Sequence, residues 1–421
     1  MTERLYYTDS LLADFDAVVT DVQELSRANG QAIWRIALDR TAFYPTSGGQ
    51  PFDTGRLMAT ARSGTELTAA ITCVEEDDNG QIWHHTTKPL QAGTAVHGEI
   101  DWPRRLDHMQ QHSGQHLLSA AFAQECGAAT VSFHLGEESS TIDLAIEHLA
   151  TETLRAVAGR ANQIIAEDRA VTIESVTQAQ AAAWLAAGEV RKLPTRDGAI
   201  RIITIADFDR NACGGTHVRS TGQIGGLQVR GVEKVRQGVR VEFVCGLRAM
   251  RAARRDFETL TAAGRALSLA AAEVPEAVAR LQAQNKQAAK ERSALLNRLA
   301  AYQAAELLRQ THSANGIHLI RLTLSPPDAP DAAYVKMLAS KIVATAQSVA
   351  LLAWQPETGH EEAASVFLAC SKDLPLDCGA LLRQAVAAHG GRGGGTKEMA
   401  QGPVSMDALS AVMDALATAC R

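Results

Sequence analysis

At 421 residues, with 46% hydrophobic and 21% charged residues, the chain exceeds one compact core and predicts roughly two to four domains. No apolar run approaches the roughly 18–20 residues of a membrane span, and the start, "MTERLYYTDSLLADFDAV", lacks a signal's apolar core. Seven scattered cysteines argue against a disulfide scaffold, so a cytoplasmic protein is expected, and the net charge of -6 announces no nucleic-acid binder.

Residues 1–100 read as β-structure, from "DAVVTDVQEL", "QAIWRIALDRTAFY", "TAAITCVEE" and "QIWHHTT". Asn29-Gly30 and Asn79-Gly80 sit between such runs and suit hairpin turns, so several short antiparallel strands predict a small β-barrel. From Trp102 the period turns helical, with Leu106, Met109, Leu117 and Leu118 on the helix that carries His112 and His116. Strand-like "AATVSFHLGEESSTIDLA" precedes a helix, "TETLRAVAGRANQIIAED", with Thr151 and Thr153 as candidate caps. "AIRIITIADFD" predicts a strand, and "QVRGVEKVRQGVRVEFVCG" a hairpin with Gly238 at its turn, which completes an α+β domain over residues 101–246.

Residues 247–312 are Ala-rich and predict a helical hairpin. Val278, Leu281, Asn285, Ala288, Arg292, Leu295, Leu299 and Tyr302 alternate three-and-four spacing, a coiled-coil seam with two polar interruptions. Residues 313–421 return to α/β, with "GIHLIRLTL" and "ASVFLACS" as buried strands and "DCGALLRQAVAAHGG" as a helix. The loop "GGRGGGTKEMAQG" suits either a phosphate cradle or a plain linker, and its spacing is neither a Walker loop nor a dinucleotide fingerprint. The fold class expected is thus multidomain α+β.

His112 and His116 lie four apart on one helix face, and Cys213 and His217 are four apart in "DRNACGGTHVRS". Three imidazoles and a thiolate suit zinc. A metalloprotease helix would carry Glu after its first His, whereas Ser113 stands here and no carboxylate lies between the histidines. The wide separation of the two pairs also argues against a helical zinc finger. Between Arg219 and Arg255 the basic residues Arg230, Lys234, Arg236, Arg240, Arg248, Arg251, Arg254 and Arg255 form either a phosphate-binding surface or a solvated face.

"HMQQHSGQHLLSAAF", "CGGTHVRSTGQIG" and "RTAFYPTSGGQPFDTG" each resemble stretches of the editing domain of alanyl-tRNA synthetases, which also occurs free-standing as AlaX-type editing proteins. A related zinc-site domain occurs in threonyl-tRNA synthetases, but the glycine-rich N-terminal motif resembles the alanine branch. "GVEKVRQGVRVEFVCGLRAMR" resembles the segment that closes the editing domain. The helical segment and the glycine loop resemble the synthetases' C-terminal region, a domain shared with DHH-type phosphoesterases. Gly48 comes too early to leave room for a class II synthetase core, so the long free-standing form is expected. Two departures stand out: "PTSGGQ" has no acidic residue before its glycines, and the C-terminal glycines are unusually ordered.

The resemblance implies an ATP-independent hydrolase for translation fidelity that deacylates tRNA(Ala) mischarged with serine, and in some members glycine. An alanine pocket cannot strongly reject serine, so a second site must read the hydroxyl. By resemblance, His112, His116, Cys213 and His217 hold zinc, which binds the amine, orients the ester or polarises a water. Thr41 is the candidate hydroxyl reader, and Gln50 positions substrate or backbone. Arg236, Arg240, Arg251, Arg254 and Arg392 are candidate tRNA contacts. The C-terminal half is a candidate for tRNA binding, for homodimer formation, or for both.

Three rivals remain. A peptide-release factor shares Gly48-Gly49-Gln50 but needs no zinc set. A phosphoesterase or nuclease needs an Asp-His-His motif, for which Asp107-His108-Met109 is an incomplete match. A non-enzymatic tRNA-binding protein with structural zinc is the third.

Overall fold

In the computed structural model, which describes residues 1–28, 31–60, 64–195, 198–313, 316–356 and 363–421, the alternating N-terminal runs pair as a seven-stranded antiparallel sheet. Its order is Glu66–Ile71, Gly55–Thr60, Ala95–Ile100, Asp14–Ala28, Gln31–Leu38, Ile82–Thr86, Cys73–Glu76. Period-two alternation puts Phe15, Ala17, Val19, Ile36, Leu38 and Leu57 into one apolar core. Thr72 alone joins the two edge strands, and among the described residues no ladder pairs them. The Asn79-Gly80 pair lies in a five-residue connection, residues 77–81, where the Asp77 carboxylate accepts from the Asn79 and Gln81 amides. Asn29-Gly30 lies outside the described residues, although the strands on either side pair up to Ala28 and Gln31.

The histidine helix, Trp102–Cys126, starts at the Asp101 cap with Pro103 in its first turn and stops at left-handed Gly127. It is buried almost without break from His108 to Phe122, as a central helix must be. Met109, Leu117, Leu118 and Phe122 share a core with the helix Thr151–Ala166 and a four-stranded sheet, ordered Thr130–Leu135, Ser140–Leu144, Gly238–Cys245, Leu227–Val235. A three-stranded sheet, Val171–Val176, Ile200–Ile205 and Asp209–Ala212, completes this half. Neither Thr151 nor Thr153 caps the second helix: Ala150 occupies that position and no side chain bonds there. Gly238 opens the second strand of its hairpin, leaving Arg236 and Gln237 at the turn.

Two compact units result, Met1–Ala262 and Ala263–Arg421. In the second, a mixed five-stranded sheet runs His318–Leu324, Ser348–Trp354, Ala363–Cys370, Met399–Ser405, Gly394–Gly395, with its first pair parallel. Apolar side chains pack on both faces, so Ser348–Trp354 is a near-continuous buried run. Helices occupy the segment expected as a hairpin, Gly246–Ala266 and Val274–Gln310. The longer one packs on its own unit through Leu296, Ala300, Ala304 and Leu307, whereas the expected seam, Val278, Leu281, Leu295, Leu299 and Tyr302, is exposed. Among the described residues, no helix is long and apolar enough to cross a membrane.

Candidate metal centre

The histidine helix and the loop after Asp209–Ala212 bring His112, His116, Cys213 and His217 together, with one ligand atom from each lying within 4.8 Å of all the others. The Cys213 Sγ is 3.4 Å from His112 Nε2 and 3.3 Å from His217 Nε2. Tetrahedral zinc, with bonds of about 2.3 Å to sulfur and about 2.0 Å to nitrogen, sets that edge at about 3.5 Å. The donor set and its spacing therefore fit a zinc ion.

Two imidazoles are oriented from behind. His112 Nδ1 donates to Gln50 Oε1 at 2.8 Å, because an amide oxygen only accepts, and this leaves Nε2 bare. Gln50 is itself fixed by Thr216, whose amide donates to Oε1 and whose hydroxyl accepts from Nε2. His217 Nδ1 lies 3.1 Å from Ser113 Oγ, which also accepts from the Val218 amide. His116 lacks so close a partner, with Asp209 3.9 Å from its Nδ1. Gly215 is obligatory here, since a β-carbon would stand 2.2 Å from His112 Cε1 and 2.3 Å from its Nδ1.

Burial, reinforced by neighbouring imidazoles and Arg201, pushes His112 and His217 well below the usual imidazole range. Burial, then Arg191, brings His116 down to about 3. All three are thus neutral, the ligand form. Burial also raises the Cys213 thiol, so a cation that binds there must displace its proton. Asp209 is pushed up to about 6 by its own burial.

Several supports were not visible in the motifs. Arg201 donates from Nη1 to the carbonyls of Cys213 and Gly215 and from Nε to that of Tyr7, curling the Cys213–His217 loop. Fully buried Arg105 and Asp53 pair at 3.0 Å, and Arg105 also holds the Ser10 and Ala42 carbonyls. This ties the histidine helix to the segment that follows Gln50. The only sequence signal was an arginine on an otherwise apolar strand face or at a helix start.

Gln50, expected to position substrate or backbone, stands behind His112 and orients it. Thr41 is buried and hydrogen-bonds to none of the four ligand groups: its hydroxyl lies 2.8 Å from His84 Nε2 and accepts from the Phe43 amide. His84 Nδ1 must donate to the Ile36 carbonyl, and burial lowers this imidazole to about 4. Neutral His84 therefore accepts at Nε2, and Thr41 spends its only proton there. Among the basic residues, Arg240 pairs with Asp143 and Arg254 with Glu258, while Arg236, Arg251 and Arg392 are exposed without an ion pair among the described residues. Asp107 is held by Arg248 and Gln111, which leaves the incomplete phosphoesterase motif without a free carboxylate.

Residues 200–241 match the family described as threonyl and alanyl tRNA synthetase second additional domain, and residues 1–104 match class II (A) tRNA synthetases. The alanine–tRNA ligase of Pyrococcus furiosus is 32% identical over 417 residues, covering 96% of this chain and 42% of that protein. The chain thus spans less than half the length of that ligase. The alanyl-tRNA editing protein AlaX-M of Methanosarcina mazei is 34% identical over 242 residues, covering 54% of this chain and 90% of that protein. The chain belongs to the AlaX-type alanyl-tRNA editing protein family. The C-Ala domain of Aquifex aeolicus alanyl-tRNA synthetase aligns over 25% of this chain and 97% of that domain at a TM-score of 0.21 and 16% identity, too low to bear on the C-terminal fold.

Proposed function

We propose that this chain is an aminoacyl-tRNA deacylase that hydrolyses the ester of tRNA(Ala) mischarged with serine, and secondarily glycine, at zinc held by His112, His116, Cys213 and His217. The observation that carries this reading is the convergence of the two four-spaced pairs with neutral, oriented imidazoles. When bound, zinc supplies a Lewis acid for the ester or its attacking water. Gln50 and Ser113 keep the Nδ1 protons of His112 and His217 turned outward, and Cys213 gives up its proton on loading.

Thr41 is the proposed reader of the seryl hydroxyl. With its proton on His84 and one lone pair on the Phe43 amide, it has only acceptor capacity left. A seryl hydroxyl satisfies an acceptor and an alanyl methyl does not, which is the discrimination the pathway requires. Arg236, Arg240, Arg251, Arg254 and Arg392 are assigned to tRNA phosphates in the cytoplasm. The C-terminal unit, whose resemblance to DHH-type phosphoesterases belongs to the same reading, adds tRNA affinity or pairs two chains.

Deacylation of purified Ser-, Gly- and Ala-tRNA(Ala) tests this. The seryl ester is expected to be cleaved fastest and the alanyl ester spared, and Thr41→Val should narrow the Ser-to-Ala ratio by roughly tenfold. No hydrolysis of any ester by zinc-loaded protein would favour a tRNA-binding protein with structural zinc.

A further inference from the structure

We propose that the Phe133 ring is the stacking platform for the terminal adenine of the tRNA, a subsite that rests on the deacylase reading above. His112, His116 and His217 are buried, whereas Cys213 and Gly214 are partly exposed and Ser47, Gly48 and Gly49 are exposed. Phe133 is half-buried beside this opening, on the edge strand Thr130–Leu135. Its ring centroid lies 5.7 Å from that of His112, with the planes at 41°.

The ring is held from one side. Gly49, at φ +81°, lies so close that a β-carbon there would stand 2.8 Å from Phe133 Cε2. The Leu135 amide donates to the Gly49 carbonyl at 3.3 Å and fixes the strand to the loop. The strand and the glycine turn thus set an aromatic face next to a metal ligand and leave it partly open.

The reacting ester sits on the ribose of the terminal nucleotide, so the adenine arrives within one nucleoside's length of the attacked carbonyl. A ring touching His112 is within that range. The acceptor end is single-stranded, and proteins hold such bases on aromatic faces because every base has a π-face. Phe133 thereby fixes the ester's distance from the metal centre without reading the amino acid.

The test compares two synthetic substrates, 3′-O-seryl adenosine and 3-O-seryl-1,4-anhydro-D-ribitol, which keeps the ribose ring and the ester position but lacks the base. Wild-type protein is expected to prefer the adenosine ester in kcat/KM. Phe133→Leu should reduce that preference roughly tenfold, mainly through KM, with zinc retained, and Phe133→Trp should restore it. An unchanged preference in Phe133→Leu overturns the subsite, and so does loss of zinc from that variant, which would make the ring a wall for His112. Equal cleavage of both esters by wild type ends the subsite alone. Failure of wild type on both esters and on Ser-tRNA(Ala) ends the deacylase reading and the subsite with it.

Discussion

Two glycine-rich loops with similar sequence signals serve different ends in this chain. Around Gly48-Gly49-Gln50, Gly49 admits Phe133 and Gln50 reaches His112. In the C-terminal loop, Gly394 and Gly395 pair with Gln401 and Ala400, and the Lys397 and Thr396 carbonyls take the Cys378 and Gly379 amides. Asp377 takes the Ala380 amide, so these first amides of the helix Cys378–Ala387 are already committed. The phosphate-cradle option for that loop finds no free donor among those three amides. Glycine marks close backbone approach in both loops, and chemistry follows only where a functional side chain adjoins it.

The largest effect is expected at the buried pair beneath the first loop. Arg105→Met leaves Asp53 as an uncompensated buried charge, and a loss of ~3–5 kcal/mol is expected in denaturant unfolding. A loss below about 1 kcal/mol would mean that the first loop is no better anchored than an ordinary surface turn.

A smaller effect is expected from Gln50→Met, which keeps size but removes the acceptor that orients His112. Zinc affinity, read by chelator competition, should fall roughly 10- to 100-fold, while Gln50→Glu, which keeps an oxygen there, should lose less. Equal affinity in wild type and Gln50→Met would return Gln50 to a direct substrate role.

The second loop should be nearly silent. A β-carbon at Gly394 meets nothing within 4 Å, so Gly394→Ala should change stability by no more than about 0.5 kcal/mol and leave zinc binding intact. A marked loss of tRNA affinity in that variant would show that the loop's backbone, and not only the Arg392 side chain, meets the tRNA.

Much of the metal centre was legible because its ligands come in pairs one helical turn or one tight loop apart. The strand runs were legible too, since period-two alternation survives folding. What the sequence hid was long-range polar pairing. Gln50 meets Thr216, Ser113 meets His217 and Arg105 meets Asp53 across large sequence separations, and no local period records such contacts. The Thr151 and Thr153 caps failed for a local reason: Ala150 took the cap position without a side-chain bond. The apolar row on Val274–Gln310 has the spacing of a packing seam, but its own unit uses the adjacent stripe through Ala300 and Ala304. Spacing predicts that a row is apolar, not which neighbour covers it.

Whether these four residues form one metal centre is decided by the zinc content per chain in purified wild type and Cys213→Ala. One zinc per wild-type chain and only a small residual fraction in the folded variant is the predicted result. Full zinc occupancy in Cys213→Ala, or none in wild type purified with zinc present, would contradict the assignment.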